Sequence, residues 1–484
     1  MSDDLRKISF VLNKGVNRDA PPGSLEAGYA SDLRHIGFDD GVCFKRPGVT
    51  SYFSTAAAAQ INGLYAFSSG ATSYVLRGRA AKMTKITGGE ATDLTPAFTG
   101  GLGDRWSFAA WGNVILASNG KEKIQKFVSP YAAGDLADMT ADANCPVAHV
   151  VRVFQRHVFA LGDTTNTFRV SWSDIDDYTD WTAIAANDAG SVDLYESKTP
   201  VVGGDTLRTI FVVYTGSQIH TFQYVGGTYV FARNIADYST GLYSRDLLVS
   251  TEYAQFFMSP TNFCAFDGSK PVPIGQGIRK EVYAGIAHAI SSHSASIDYA
   301  FAFHARNKGE VWFCVPVNQA YPDLAVIYNY WNGAWSLEDF DEGYLACAGI
   351  DQSPLGYPLM ALGDHKLWYI EYGSNKAAGT AYAGYIDSPE FEGSDAEIMK
   401  HIVRIVPDIT AAGSHTVSFK VGTRDTRNSS VTWSSAYTFD PDSDKHLDVR
   451  ASGRLLRLRV YTDALASPFQ LNKVDVYYAE VGGR

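Results

Sequence analysis

The chain has few cysteines and no motif that would put them to use. Five occur among 484 residues, at positions 43, 145, 264, 314 and 347, and no two form a C-x-x-C pair. An odd number of widely separated cysteines argues against a disulfide framework or a thiolate zinc site. Several lie inside apolar runs, so we expect small buried side chains in a chain that matures in a reducing compartment.

Positive charge and long apolar runs are also scarce. The 41 Lys and Arg residues stand against 52 Asp and Glu residues, and the formal net charge is −11. No basic stripe of the kind that grips a phosphate backbone is present, which argues against tight nucleic-acid binding. No apolar run approaches the roughly 20 residues that cross a bilayer. Because the acidic first residues lack the apolar core of a signal peptide, we expect neither secretion nor membrane insertion.

Sequence motifs of catalysis are missing as well. The chain contains no G-x-S-x-G, H-E-x-x-H, G-x-x-x-x-G-K-[ST] or G-x-G-x-x-G, and its 11 histidines are scattered. We therefore predict a protein without enzymatic activity, catalytic residues or a cofactor.

One acidic cluster, Asp440, Asp442 and Asp444, has the alternation that can wrap a Ca²⁺ ion. An EF-hand loop needs Gly at its sixth position and Glu at its twelfth, whereas this chain has Lys445 and Ala451 there. A solvated turn is the preferred interpretation. No metal site is predicted, and cation binding by the three carboxylates stays open.

What the chain does contain is a repeated unit of strand, turn and strand. Apolar strands begin near positions 64, 108, 153, 210, 254, 300 and 345. They lie about 44–46 residues apart, apart from a step of about 57 into position 210, and roughly 40–45 residues is the length of one four-stranded propeller blade. The spacing predicts an all-β fold, a β-propeller of about seven blades.

The predicted organisation has three parts. Residues 1–55 form an extended N-terminal arm, in which a strand at 49–53 closes the propeller by pairing with 366–370. Residues 56–377 form the propeller itself. Residues 378–484 alternate between apolar and polar side chains, as half-buried strands do, and predict a C-terminal β-sandwich domain.

One helix is expected within the propeller, near 278–292. Ile278, Val282, Ile286 and Ile290 lie four residues apart, which is a helical stripe. We interpret the stripe as the buried face of a single helix that docks on or between blades.

Several short segments also follow a recognisable order along the chain. Residues 26–32 lead into 37–48, which ends in Lys45-Arg46-Pro47-Gly48. The run 210–219, the run 256–267 with the helix after it, and the closing strands 454–459 and 472–478 come next. Together these segments resemble, over nearly the whole chain, the tail nozzle and tail hub proteins of short-tailed bacteriophages (tail tubular protein B and packaged-DNA stabilisation protein relatives).

The resemblance implies a structural virion protein of the phage tail, assembled in the host cytoplasm. It implies a ring-forming subunit, a hexamer, that retains packaged DNA and conducts it during ejection. The implied partners are a tail adaptor protein and tail spikes, fibres or a plug. Genomic DNA would pass through the lumen without specific binding.

Two other functions stay open. The first alternative is a carbohydrate-binding or glycan-processing propeller, because residues 171–181 resemble, in one copy and without its glycine, the Asp-box of sialidase-like propellers. The second is a general interaction scaffold. For partner binding, the aromatic loop 226–244 offers four candidate interface anchors, Tyr229, Phe231, Tyr238 and Tyr243. Packing between blades is the alternative role for these four side chains.

Overall fold

The computed structural model describes residues 5–227, 229–341, 343–351, 353–373, 379, 383–411, 415–462 and 469–481. Within these ranges the chain is built from strands, one α-helix and four single-turn 3₁₀ helices, the last at Pro22–Ser24, Tyr195–Ser197, Ile297–Tyr299 and Arg306–Lys308. The N-terminal segment supplies five strands: β1 Arg6–Phe10, β2 Asp32–Arg34, β3 Ile36–Asp39, β4 Val42–Lys45 and β5 Val49–Phe53.

Seven consecutive four-stranded antiparallel sheets follow in the described part of the chain. Blade one is β6 Ile61–Ser69, β7 Thr72–Arg79, β8 Met83–Thr87 and β9 Glu90–Asp93; blade two is β10 Ser107–Trp111, β11 Val114–Ser118, β12 Gln125–Val128 and β13 Leu136–Asp138. Blade three is β14 Ala148–Phe154, β15 His157–Asp163, β16 Arg169–Trp172 and β17 Gly190–Asp193; blade four is β18 Val201–Leu207, β19 Ile210–Thr215, β20 Ile219–Tyr224 and β21 Phe231–Asp237.

Blade five is β22 Leu248–Ser250, β23 Gln255–Met258, β24 Phe263–Phe266 and β25 Pro271–Pro273, and helix α1 Arg279–Ser292 follows it. Blade six is β26 Phe301–Ala305, β27 Glu310–Val315, β28 Leu324–Asn329 and β29 Ala334–Asp339. Blade seven is β30 Ala346–Ile350, β31 Leu359–Leu362 and β32 Leu367–Ile370, completed by β5. The prediction of an all-β propeller of about seven blades is confirmed.

The predicted closing strand is also where the sequence analysis put it. Strand β5 pairs antiparallel with β32, with Thr50 opposite Tyr369 and Val49 opposite Ile370. The outermost strand of the last blade therefore comes from the N-terminal side of the first blade, and this pairing joins the two ends of the ring.

The irregular step in the predicted repeat has a simple explanation. The markers at 210 and 254 fall on the second strands of blades four and five, whereas the other five markers fall on first strands. The first strand of blade four contains Gly203 and Gly204 and has little apolar character. Gly203 lies against Leu242 and Arg245, and Gly204 lies against Leu161. Neighbouring blades approach these two positions so closely that a side chain there would collide with them, which favours glycine.

Helix α1 occupies the predicted position, but its buried face differs by one residue. Val282, Ile286 and Ala289 are buried, whereas Ile290 is 41 % exposed. In a helix of 3.6 residues per turn, residues spaced exactly four apart move gradually away from one face. The buried face therefore continues at Ala289, and the prediction that Ile290 is buried is wrong.

The C-terminal strands are β33 Gly384–Asp387, β34 Met399–Ala411, β35 Val417–Arg424, β36 Thr432–Trp433, β37 Tyr437–Phe439, β38 Leu447–Gly453, β39 Leu455–Thr462 and β40 Phe469–Val481. In the described ranges they form two six-stranded sheets, and each sheet includes N-terminal strands. Strands β1, β3 and β4 join β34, β38 and β40, whereas β2 joins β33, β35, β36, β37 and β39. The N-terminal segment is therefore part of the sandwich as well as of the propeller. The predicted domain boundary at 377–378 lies outside the described residues.

The sandwich packs against the outer side of blades five and six. Gly15 bridges to Trp335 of β29, and the Nε1–H of Trp335 donates to the carbonyl of Ile274 at 3.0 Å. A Cβ at Gly15 would lie 2.6 Å from the Trp335 nitrogen, so the two backbones meet closely there. One continuous apolar cluster runs from these two blades into the sandwich.

Candidate functional site

The first strand of each blade lines a central channel. Neighbouring first strands contact one another from β10 through β14, β18, β22, β26 and β30 to β6. The remaining junction, between blades one and two, is made by Tyr65 and Phe108, whose rings stack with centroids 5.4 Å apart. Because all blades have the same strand order, the channel has two distinct ends. Face A holds the turns between the first and second and between the third and fourth strands; face B holds the remaining turns and the links between blades.

Three arginines meet in the channel towards face B. Arg105 precedes β10, Arg245 precedes β22, and Arg152 lies on β14. Arg105 Nε donates to Asp246 Oδ2 at 2.6 Å, and the same carboxylate oxygen lies 3.8 Å from Arg245 Nε. Asp246 therefore links blades two and five across the channel.

The other contacts of these guanidinium groups extend the network to blades three, four and seven. Arg105 Nη1 donates to the carbonyl of Cys347 at 2.8 Å, and Arg152 Nη1 donates to Ser107 Oγ at 2.7 Å. Arg152 Nε also lies 3.5 Å from Asp205 Oδ2. The arginines therefore hold positions set by several blades at once.

His149 completes the network next to Arg245. Its Nδ1 lies 2.8 Å from Arg245 Nη1, which has only protons to donate, so this ring nitrogen must accept. Burial lowers the pKa of His149, and the neighbouring Arg245 lowers it further. A neutral imidazole is the form that this contact requires at neutral pH.

A polar cavity of about 180 Å³ lies between these groups. Its lining includes Arg105, Arg152 and Arg245, with Ser107 and Tyr65 beside them. Guanidinium groups stay protonated at any physiological pH, so they cannot exchange protons with a substrate. The arrangement can bind and orient an anion; it has the chemistry of a binding site.

Face A carries a second feature, a strip of aromatic side chains on blades five to seven. Tyr253 and Trp331 are each 58 % exposed. Between them Tyr330 stacks on Phe256 with centroids 5.3 Å apart and so joins blades five and six. On blade seven, Tyr357 and Tyr372 stack at 4.2 Å and both remain exposed. We call Tyr253, Tyr330, Trp331, Tyr357 and Tyr372 the aromatic strip.

The predicted interface anchors divide into two pairs. Tyr229 and Tyr238 are 80 % and 70 % exposed, so they are available to a partner. Phe231 packs inside an aromatic cluster, 5.0 Å from Phe159 and 5.2 Å from Trp172, and Tyr243 stacks on Tyr283 of α1 at 6.3 Å. Phe231 of blade four thus packs against blade three, which is the alternative role that the sequence analysis left open, whereas Tyr243 packs on the helix. An anchoring role stays a prediction.

The acidic cluster forms a turn that uses its own carboxylates. Asp444 Oδ2 accepts from the backbone N–H of Asp440 at 2.9 Å, and Asp440 Oδ1 accepts from that of Asp442 at 3.0 Å. Among the residues that the structure describes, no group of three or more His, Cys, Asp or Glu side chains is placed to hold a metal ion. Within the same residues no helix is long and apolar enough to cross a membrane.

A buried charge cluster went undetected in the sequence. Arg46 is 1 % exposed; its Nη2 donates to Glu310 Oε1 at 2.7 Å and its Nη1 to Glu371 Oε1 at 2.9 Å. Glu338 lies 3.9 Å away, and Lys308 pairs with Glu371. Burial lowers the pKa of Lys308 to about 8, and nearby Arg46 lowers it as well. The cluster holds the segment before β5 against blades six and seven.

Fold and channel together define a class: the chain is a seven-bladed β-propeller protein that carries a β-sandwich beside it. No family model matches the chain, and no curated protein matches it. Solved structures, in contrast, match the chain. The WD40 domain of Pan2 from Neurospora crassa matches with a TM-score of 0.41 and 9 % identity, over 68 % of this chain and 95 % of that one. The β-propeller domain of Cps50 (Swd1) from Myceliophteria thermophila matches with a TM-score of 0.42 and 9 % identity, over 66 % and 99 %.

These matches correct the function predicted from the sequence. Both are propeller domains, and neither supports the predicted phage tail nozzle that retains and conducts DNA, so that prediction is withdrawn. The segments behind that resemblance are short, and the structure gives several of them a role within the propeller itself. Arg46 of the Lys-Arg-Pro-Gly turn, for example, is an internal ion-pair residue. The predicted hexamer, adaptor contact and virion location remain untested.

Proposed function

We propose that the chain is a non-enzymatic scaffold that binds a protein partner through the aromatic strip on face A. The observation that carries the proposal is the exposure of Tyr253 and Trp331 on neighbouring blades, continued by Tyr357 and Tyr372 on the next blade. Tyr and Trp are the side chains that most often supply binding energy at protein interfaces.

The surroundings of the strip support a protein partner. Glu252 precedes Tyr253 in the same turn, and Arg306 and Asp351 form an ion pair of 3.6 Å that links blades six and seven. Aromatic anchors within a charged rim are the usual anatomy of a protein–protein interface. Because the strip spans rigid blades, its side chains are already positioned before a partner arrives, which reduces the entropy lost on binding.

The test compares two double variants of the full chain. Tyr253→Ser with Trp331→Ser removes two exposed anchors from face A, whereas Ile184→Ser with Tyr195→Ser removes two exposed side chains from blade three as the matched control. Proteins captured from an extract of the source organism are identified, purified and titrated against each variant by calorimetry. We expect at least one partner whose affinity falls about 100-fold with the face A variant, remains with the control, and crosslinks to residues 251–254 or 330–333.

Two outcomes would contradict the proposal. Equal affinity of every captured protein for both double variants would remove the strip from the interface. Binding of a soluble sugar on a glycan array that is lost in the face A variant would assign the strip to a different ligand class.

A further inference from the structure

We infer that the channel cavity towards face B is a binding site for a small oxyanion of phosphate size. The inference concerns the opposite end of the propeller from the aromatic strip and does not depend on the proposed scaffold function. It follows from donor geometry, local charge and cavity size.

The donor geometry leaves N–H groups available to a ligand. Each guanidinium has five N–H donors. In the described residues, Arg105 and Arg152 each make two hydrogen bonds, and Arg245 makes two, to His149 and the carbonyl of Gly103. The side chains of Arg105 and Arg245 are 7 % and 10 % exposed, so their remaining donors have little bulk water to turn to. The three arginines line the cavity, so an oxyanion placed there can accept from donors that the protein leaves unused.

The local charge is positive in an otherwise acidic protein. Three guanidinium groups face the carboxylates of Asp205 and Asp246, and Asp246 is shared between Arg105 and Arg245. The cavity lining therefore carries more positive than negative charge, three guanidinium groups against the one carboxylate of Asp246, while the whole chain carries −11. Low-dielectric channel walls strengthen such a local field. Arginine is also the residue whose planar donors match phosphate and carboxylate oxygens best.

The size of the cavity restricts the ligand. A volume of about 180 Å³ equals roughly six times the share of one water molecule in the liquid. It accommodates one phosphate group with a few waters or carbon atoms. A ligand in this place contacts side chains from blades two, three and five, so it should stabilise the folded ring by mass action.

Calorimetric titration of the full chain tests the inference, at fixed ionic strength with chloride as background. The probes are inorganic phosphate, glycerol 2-phosphate and sodium tricarballylate. Arg152→Gln removes the most accessible of the three arginines, Arg152→Lys retains the charge without the planar donors, and Arg306→Gln on face A is the matched control. Circular dichroism confirms that each variant is folded.

We expect phosphate to bind one site in the wild type and in the Arg306 control, and to raise the melting temperature of both. Affinity should fall about tenfold or more in Arg152→Gln, with a smaller loss in Arg152→Lys. Tighter binding of glycerol 2-phosphate than of phosphate would assign the site to a phosphorylated molecule, and the reverse order to the free ion. Absence of heat and of any thermal shift with all three probes at 10 mM (roughly the weak limit of a useful site) would overturn the inference. So would equal binding by wild type and Arg152→Gln.

Discussion

The side chain of Arg46 shows how one residue can hold distant parts of the chain together. It is fully buried, and its partners Glu310 and Glu371 lie 264 and 325 positions further along the sequence. Without the cation, three carboxylates would remain buried together. A buried charge without its counter-charge is among the most costly defects that a single substitution can cause.

We therefore expect Arg46→Leu to lower the free energy of unfolding by about 3–5 kcal/mol. Urea unfolding followed by tryptophan fluorescence measures the change. Arg427→Leu, which removes an exposed arginine from an ion pair with Glu392, is the control and should change stability by less than about 1 kcal/mol. A loss for Arg46→Leu as small as the control's would show that the cluster does not depend on its arginine.

A second residue, His220, makes stability depend on pH. It lies on β20 with no exposed surface, and neither ring nitrogen has a hydrogen-bond partner in the described part of the chain. Burial lowers its pKa to about 4, and Arg233 contributes to the shift. Above the ordinary histidine pKa of 6.5 the ring is neutral in both the folded and the unfolded chain. As pH falls from there towards 4, only the unfolded chain takes up the proton, so stability is lost.

His220→Leu should remove this part of the pH dependence. Between pH 7 and pH 4 the wild type should lose roughly 3 kcal/mol more than the variant, as measured by urea unfolding at each pH. His288→Leu, at an exposed position on α1, should follow the wild-type curve. Parallel curves for wild type and His220→Leu would mean that the buried ring does not carry the effect.

At the scale of single elements, the closing strand β5 decides whether the ring is complete. Its contact with β32 includes the Tyr52 and Tyr369 rings, edge to face with centroids 5.0 Å apart. Burial raises the pKa of both phenols, consistent with a packed pair. Since β5 has a partner strand on one side only, such side-chain contacts are a substantial part of what keeps it in place.

A double-mutant cycle with Tyr52→Ala and Tyr369→Ala should give a coupling energy of about 0.5–1.5 kcal/mol in the unfolding free energy. Tyr52→Ala combined with Tyr195→Ala, whose ring packs on Phe168 of blade three, should be additive. A coupling of zero for the first pair would indicate that the backbone ladder alone holds β5.

The repeated elements could be predicted from the sequence, whereas elements whose partners lie far away in the sequence could not. Blade strands, the closing strand and α1 each have a local periodic pattern, so they could be recognised one by one. Strands β2 and β4 are only three and four residues long, and their partners β33 and β40 come hundreds of residues later. The channel arginines were hidden for the same reason: Arg105, Arg152 and Arg245 belong to three separate repeats, and only ring closure brings them together.

At the scale of the whole molecule, one apolar cluster joins blades four to six of the propeller to the sandwich. Trp335 lies at the junction, 4 % exposed, with its ring 4.9 Å from Phe263 and 4.7 Å from Tyr328. Its backbone pairs with Gly15 of the N-terminal segment. A junction with this much buried contact couples the stability of the two bodies.

Calorimetry of the full chain should therefore show one cooperative unfolding transition. Trp335→Ala should shift the whole transition downward, with a loss of about 3–5 kcal/mol. Trp331→Ala, four residues earlier and exposed, is the control and should stay within about 0.5 kcal/mol of the wild type. Two separate transitions in the wild type, or a Trp335→Ala effect confined to one of two transitions, would show that the bodies unfold independently.

The pairing of β1 with β40 has a consequence for how the protein is made. Arg6 lies opposite Tyr478, so β1 has to wait for a partner strand that is synthesised more than 400 residues later. Strand β5 likewise waits for β32, which follows it by more than 300 residues. Blades one to six can form while translation proceeds, but the propeller cannot close until β32 has emerged, and β1 has no partner until β40 has emerged. Pairings of such long sequence separation form slowly. Nascent chains of this protein should depend on chaperones that shield β1 and β5 until their partner strands have emerged.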